Sequence, residues 1–128
     1  MHSAGAWIWV AFGSAVGGVA RYGVSRWLPV MPGAWPTGTM LVKVGGSFLI
    51  GACSVWLGAR GGAAPEDARL FWMTGVLGGF TTYSAFALET SALMSGGAML
   101  RAALYVVATV FLCLIGAFAG RWLATASV

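Results

Sequence analysis

The sequence predicts an all-α membrane protein, a single transmembrane domain of four helices over residues 1–128. Composition is the first reason, because 59% of the residues are hydrophobic and only 8% are charged, whereas soluble domains carry about 25% charged residues. The second reason is the length of the apolar stretches, since about 20 mainly apolar residues cross a bilayer. Backbone groups in lipid must form their hydrogen bonds within the segment, so such stretches are helices. These observations exclude a water-soluble fold.

Four apolar segments of sufficient length follow one another along the chain. The proline- and glycine-rich stretch PVMPGAWPTG separates the first two, and RGGAAPEDAR separates the second from the third. Because the connections are short, consecutive helices should be antiparallel neighbours. The predicted segments are 6–28, 39–59, 70–94 and 102–123.

The basic residues are spread over both predicted sides of the membrane. The net charge of +4 comes from only seven Lys and Arg residues, which form no patch of the kind that binds nucleic acid. Because cytoplasmic loops normally carry an excess of Lys and Arg, this distribution predicts no preferred orientation for a multi-pass protein of the cell inner (plasma) membrane. A chain that inserts both ways can form an antiparallel, dual-topology homodimer. One side holds Arg60, Arg69 and Arg121, and the other holds Arg26 and Arg101, with Arg21 close to it.

Small residues recur at a spacing of four in three of the segments. Stripes of this kind let helix backbones approach closely and favour helix association in lipid. They predict packing rather than chemistry. The stripes run from Gly13 to Gly17, from Ser47 to Gly51 and from Gly116 to Gly120.

Three ionisable residues fall inside the predicted spans, where such residues are costly and indicate function. Arg21 lies near the end of the first segment and is predicted to anchor it at the membrane interface or to cap the helix, with a direct role in ligand binding as the alternative. Lys43 either reaches the interface in the same way or lines an aqueous vestibule that attracts anions. Thr39 and Ser47 lie one turn away on the same helix face, which is typical of a wet groove. Glu89 is predicted to pair with an arginine or to accept hydroxyl hydrogen bonds, in a structural role or in a pathway.

The run GVLGGFTTYSAF at 75–86 is the most informative part of the third segment. Its glycines and adjacent β-branched threonines weaken a helix near its middle. A break there would free backbone carbonyls, which can hold a cation inside a membrane protein. The alternative is a continuous helix packed through its glycines. Tyr83 and Phe86 share one face, where an aromatic pair usually packs, although a ring edge can also face an anion.

Four stretches of the chain together resemble the Fluc (CrcB) family of fluoride channels. GGVARY at 17–22 resembles the family's GGxxGAxxRY, and GTMLVKVGGSFLIG at 38–51 resembles GTLxVNxxGSFLxG. The third stretch, from Gly75 to Glu89, resembles GxxGGxTTFSTFSxE and is the most specific of the four. The fourth segment matches only in its apolar, small-residue character.

The resemblance implies a fluoride channel that lowers cytoplasmic fluoride through two pores of an antiparallel homodimer. It also implies a structural sodium ion at the dimer centre. Main-chain carbonyls at the break in the third helix would hold this ion, and by motif position they belong to Gly78 and Thr81 here.

The resemblance further implies which side chains line the pore. The family's phenylalanine box maps to Tyr83 and Phe86, and its polar track maps to Ser84 and, in the fourth segment, to Thr109 or Cys113. With the residues identified above, the predicted anion pathway comprises Thr39, Lys43, Ser47, Tyr83, Ser84, Phe86, Glu89, Thr109 and Cys113.

Two residues depart from the family's pattern. Tyr83 stands where the family has phenylalanine, which keeps a ring edge and adds a hydroxyl. Lys43 stands where the family has a pore-lining asparagine, and a full charge would hold fluoride more tightly than an amide does, whereas conduction also needs release. We therefore expect Lys43→Asn to raise fluoride flux and Lys43→Ala to do less. The alternatives are an altered-conductance or non-conducting subunit of a heteromeric channel, or an engineered substitution.

Other functional classes fit the sequence less well. A small multidrug-type transporter is also four-helical and dual-topology, but it needs a carboxylate in its first helix, where this chain has no Asp or Glu. A non-transporting structural membrane protein stays open because of Lys43. An enzyme is not predicted, because the single histidine is His2 and no nucleophile–base pair is visible.

Overall fold

The computed structural model describes residues 4–29, 31, 34–59 and 65–128, and these residues form helices and their connections without a strand. All four predicted segments are confirmed as helical. Arg60, which enters the charge count across the membrane, lies outside the described residues. The helices are α1 (Ala4–Trp27), α2 (Thr37–Ala59), α3 (Glu66–Arg69), a π-helix (Leu70–Leu77), α4 (Gly78–Phe80), α5 (Tyr83–Ser95) and α6 (Met99–Ala126).

Apolar side chains cover much of the outer surface of the protein. By length and composition, α2 and α6 are the two described helices that can cross a membrane. Trp7, Phe118 and Trp122 are 74%, 71% and 71% exposed. Apolar exposure on this scale marks a surface that meets lipid or another protein.

α1 packs along the π-helix and α4 through glycines that bring the backbones together. A Cβ added at Gly17 would overlap the carbonyl oxygen of Val76, and a Cβ at Gly79 would lie 2.6 Å from the carbonyl oxygen of Ser14. A side chain at either position would force the helices apart. This contact confirms the packing role predicted for the stripe from Gly13 to Gly17.

α2 packs against α6 by the same kind of contact. A Cβ at Gly120 would overlap the carbonyl oxygen of Phe48, and a Cβ at Gly51 would overlap that of Ala117. The stripe from Gly116 to Gly120 therefore also has the predicted packing role. The described helices thus form two close pairs, α1 with the π-helix and α4, and α2 with α6.

The third segment, 66–95, changes geometry along its length. It passes from α3 into the π-helix, a rare form that is frequent at functional sites, and then into the single turn of α4. Thr81 (φ −86°, ψ 150°) and Thr82 (φ −145°, ψ 130°) are extended and separate α4 from α5. The amide nitrogen and the hydroxyl of Thr81 both donate to the Leu77 carbonyl oxygen, at 3.1 and 3.0 Å. This interruption removes helical donors from the last carbonyls of α4.

A tight turn joins α5 to α6. Gly97 has a φ of 78°, which glycine adopts without steric cost. The amide nitrogen of Ala98 donates to the Leu93 carbonyl oxygen at 2.9 Å and closes the end of α5. The turn places α5 beside α6, where Phe86 and Tyr105 belong to one buried cluster.

Candidate anion pathway

A groove of about 430 Å³ lies between the third segment, α2 and α6. Lys43 and Ser47 line it from α2, and Thr109 and Cys113 line it from α6. The two residues of each pair are four positions apart, so they lie on one helix face. The exposed surface of the wall is largely apolar, with both aliphatic and aromatic side chains. We call this space the main groove, and its polar and aromatic lining is Lys43, Ser47, Thr81, Thr82, Tyr83, Phe86, Thr109 and Cys113.

A second space of about 210 Å³, the side cavity, lies between α1, α2 and α5. Arg21 and Ser25 line it from α1, Thr39 from α2 and Glu89 from α5. Thr82 lines both spaces. The interruption between α4 and α5 therefore adjoins the main groove and the side cavity.

Glu89, on α5, contacts side chains from two other helices, α2 and α6. Its Oε1 accepts a hydrogen bond from the Thr39 hydroxyl, and its Oε2 accepts one from the Tyr105 hydroxyl at 2.6 Å. The Nζ of Lys43 lies 3.9 Å from the same Oε2. Glu89 thus accepts hydroxyl hydrogen bonds, which is one of the two alternatives that the sequence predicted. The other alternative was a pair with an arginine, whereas the cation beside Glu89 is Lys43.

Lys43 is only 8% exposed, which is unusual for a lysine. Its Nζ lies 3.5 Å from the carbonyl oxygen of Thr39 and 5.7 Å from the centre of the Phe86 ring, whose face attracts a cation. An ammonium has three donors, and its contacts to oxygen at 3.5 and 3.9 Å are long. The ammonium therefore keeps capacity to donate to a ligand in the main groove.

Thr109 is a buried polar side chain of the main groove. It is 3% exposed, and its hydroxyl lies near the Tyr105 hydroxyl without completing a hydrogen bond within the described ranges. Buried polar groups normally have a partner, so an ion or a water in the groove would satisfy this hydroxyl. Cys113, one turn further along α6, carries a free thiol.

The two predicted box aromatics lie together but in different surroundings. The ring centroids of Tyr83 and Phe86 are 5.4 Å apart. Tyr83 is 79% exposed, whereas Phe86 is 8% exposed and packs against Tyr105 at 5.4 Å. That a ring edge faces an anion stays a prediction.

Not all predicted residues converge on the main groove. Thr39 lines the side cavity with Glu89, although it shares a helix face with Lys43. Ser84 is exposed and lines neither space, and its hydroxyl lies 2.9 Å from the Thr82 hydroxyl. Of the two predicted metal-site residues, Thr81 lines the main groove, while Gly78 is exposed on α4 and lines neither space.

The carbonyl oxygens at the interruption are the candidate cation ligands. In the part of the chain that the structure describes, no three His, Cys, Asp or Glu side chains come together to hold a metal ion. Carbonyl oxygens freed by a helix break are suitable ligands for a monovalent cation. The chemistry of the available donors thus fits sodium.

Sequence reasoning missed Tyr105 and Thr82. Tyr105 lies four residues before Thr109, so the helical spacing of Tyr105, Thr109 and Cys113 was a usable signal. Thr82 carried no signal that distinguished it from Thr81, since its contact with both spaces depends on the extended backbone at this point.

Known proteins resemble this chain over nearly its whole length. Residues 8–121 match the family model described as "CrcB-like protein, Camphor Resistance (CrcB)". A protein of Anaeromyxobacter sp. named "Fluoride-specific ion channel FluC" is 48% identical over 120 residues, which cover 90% of this chain and 94% of that protein. Proteins of the same name from Rhizobium meliloti and Hyphomonas neptunium are 45% and 43% identical and cover 93% and 90% of this chain, and 95% and 91% of their own lengths.

Proposed function

Because this chain belongs to the CrcB-like protein family, we propose that it is a fluoride-specific ion channel that carries fluoride out of the cytoplasm across the cell inner membrane. The main groove is the observation that carries this proposal, since it places an ammonium and several hydroxyls on a largely apolar wall between helices. The relatives are named as channels and not as enzymes, and no enzymatic activity is proposed.

The physical argument is that a small, strongly hydrated anion needs donors in place of its water. In the main groove these donors are the Lys43 ammonium and the hydroxyls of Ser47 and Thr109. The Thr109 hydroxyl is available because it completes no hydrogen bond with its polar neighbour, the Tyr105 hydroxyl. Several weak sites in series suit conduction, since an ion must leave each site as readily as it reaches it.

The working unit in this proposal is an antiparallel, dual-topology homodimer. The even spread of Lys and Arg supports insertion in both orientations. The exposed ring of Tyr83 also leaves the outer side of the main groove open to a second copy. Tags on the loops of both sides should be accessible from both faces of the membrane in cells. Detection of a single orientation, or a purified monomer, would contradict the homodimer.

The proposal also includes a structural sodium ion at the carbonyls of Gly78 and Thr81, on the dimer axis. Support comes from the extended backbone at Thr81, which follows the end of α4, and from the exposure of Gly78, which leaves room for ligands from a partner copy. Replacement of sodium by N-methylglucamine should lower the thermal midpoint of the purified protein and its fluoride flux. If neither changes, the sodium site is wrong.

Fluoride efflux from proteoliposomes that contain this chain alone tests the function. A fluoride electrode should record rapid efflux once a potassium ionophore lets potassium compensate the charge of the departing fluoride. Vesicles with the same protein that are loaded with chloride should retain the chloride. Protein-free vesicles give the background. Fluoride efflux at that background from a folded protein would overturn the proposal that the chain alone conducts.

A second candidate is a non-conducting or altered-conductance subunit of a heteromeric channel. Lys43 favours it, because a buried ammonium in the main groove binds an anion more strongly than a neutral amide does. This candidate would be supported if vesicles with this chain alone show no fluoride efflux and gain it when a homologous chain from the same cell is added. Efflux by the chain alone would exclude it.

A further inference from the structure

We propose that Glu89 sets how strongly the Lys43 ammonium binds the conducted anion, and that the two side chains act as one site. This inference rests on the proposed function, because it concerns the affinity of the same groove. Lys43 lines the main groove and Glu89 lines the adjoining side cavity. Their 3.9 Å ion pair stands between the two spaces.

The net charge of the pair determines how strongly the site binds an anion. An unpaired ammonium on a largely apolar wall would attract fluoride strongly and slow its release, and slow release limits conduction. The Glu89 carboxylate cancels that charge at 3.9 Å. The pair therefore presents the donors of an ammonium without the field of a net positive charge.

The geometry makes Glu89 the fixed partner and Lys43 the adjustable one. The carboxylate is held by the hydroxyls of Thr39 and Tyr105, and Tyr105 is itself fully buried against Trp35, at 5.8 Å between ring centroids. The contacts of the Lys43 Nζ to oxygen are longer. An arriving anion can thus draw the ammonium toward the groove while the carboxylate stays in place, with Thr39 and Tyr105 as positioning residues.

The ion pair changes how one expectation drawn from the sequence is tested. The expectation that Lys43→Asn raises flux treated the ammonium as unpaired, whereas the Glu89 carboxylate lies 3.9 Å from it. The replacement leaves an asparagine beside Glu89, which is the combination in the fluoride-channel motifs that this sequence resembles. A carboxylate without a cation at this position is therefore compatible with conduction, and Lys43→Asn should keep or raise flux.

A double-mutant cycle in proteoliposomes tests the inference. Glu89→Gln should lower the fluoride concentration that gives half-maximal flux by about tenfold, and reduce the maximal flux because release is slower. Lys43→Asn should not lower flux, since it restores the asparagine of the family's pattern. In the double variant Lys43→Asn/Glu89→Gln, the glutamine should change half-saturation by less than about threefold relative to Lys43→Asn, because no ammonium remains for the carboxylate to offset. Arg21, the other cation at the side cavity, is present in every variant.

Asp67→Asn is the matched control, because it removes a carboxylate that is exposed on α3 and lines neither space. It should leave both flux and half-saturation unchanged. If the unmodified chain conducts and the two single effects simply multiply in the double variant, the inference is wrong while the proposed function stands.

If the unmodified chain does not conduct, the proposed function fails, and thermal midpoints of the same four proteins then test the pair. Each single replacement leaves one buried charge without its partner and should lower the midpoint more than the double replacement does. If the midpoint shifts of the two single variants add up to the shift of the double variant, Lys43 and Glu89 do not act as a pair.

Added sodium fluoride gives a further test. It should raise the thermal midpoint more for Glu89→Gln than for the unmodified chain, and an equal rise would contradict a role of Glu89 in anion affinity.

Discussion

The contacts within the two helix pairs differ sharply from the contacts between them. Within each pair, glycines press one backbone against another, as Gly17 does against Val76 and Gly120 against Phe48. Between the pairs, and bounded also by α5, lie the main groove, the side cavity and the ion pair of Lys43 with Glu89. The first kind of contact leaves no space for a methyl group, and the second leaves space for ions and water.

This difference separates folding from transport. Close glycine contacts supply dispersion and let helices associate without a hydrophobic driving force, so a change there should act on stability. Polar side chains line the space between the pairs, and the hydroxyl of one of them, Thr109, completes no hydrogen bond among the described residues. Changes between the pairs should act on flux while the fold persists.

The largest expected effect is on stability, at a glycine contact. Gly17→Ala places a methyl group on the Val76 carbonyl oxygen, and overpacking of this kind destabilises by about 1–3 kcal/mol or more. Gly18→Ala is the matched control, because a Cβ there meets nothing within 4 Å and alanine favours a helix over glycine by about 0.5–1 kcal/mol. Thermal midpoints in detergent check both variants. Equal midpoints for the two would contradict the close contact.

The next effect is on flux, at the aromatic wall of the main groove. Phe86→Ile removes the ring that lies against the Lys43 ammonium and the Tyr105 ring, and it should lower fluoride flux by about tenfold. Phe118→Ile changes a ring that is 71% exposed on α6 and should leave flux unchanged. Flux per folded protein in proteoliposomes is the measurement. Similar losses for the two variants would show that flux does not depend on the groove ring in particular.

The smallest effect should come from a hydrogen bond at the far end of the α2–α6 pair. Ser127→Ala removes the acceptor for Trp56 Nε1, which lies 3.1 Å from the serine hydroxyl. This exposed bond should contribute about 1 kcal/mol or less to stability and nothing to flux. Ser91→Ala, at an exposed position of α5, is the control for the serine itself. A loss of flux with Ser127→Ala alone would show that the close pairs also take part in transport.

The sequence predicted the helices and the glycine contacts because both depend on local pattern. Apolar length identifies the segments, and a spacing of four places Gly116 and Gly120 on one face whatever the partner is. The same rule placed Thr39, Lys43 and Ser47 together, yet Thr39 lines the side cavity and the other two line the main groove. Sequence spacing shows which residues share a helix face. It does not show how the helices packed against that face separate its residues into two different spaces.

The ion pair of Lys43 with Glu89 could not be predicted from local sequence pattern, for a related reason. Lys43 and Glu89 belong to different helices, and their 3.9 Å contact depends on how α2 and α5 dock. The sequence identified both residues, since ionisable groups at membrane depth are rare. It left open whether each had a partner, and that question decides how strongly the Lys43 ammonium attracts an anion.

Thr109→Val tests the central claim, that the space between the helix pairs is the fluoride pathway. Valine keeps the shape of threonine and removes a buried hydroxyl that completes no hydrogen bond in the described part of the chain, so the thermal midpoint should stay or rise. Fluoride flux should fall by about tenfold, since the anion loses a donor. Thr125→Val, whose exposed hydroxyl donates to the Arg121 carbonyl oxygen at 2.8 Å, should leave flux unchanged. Undiminished fluoride flux in Thr109→Val, measured where the unmodified chain conducts, would contradict the claim.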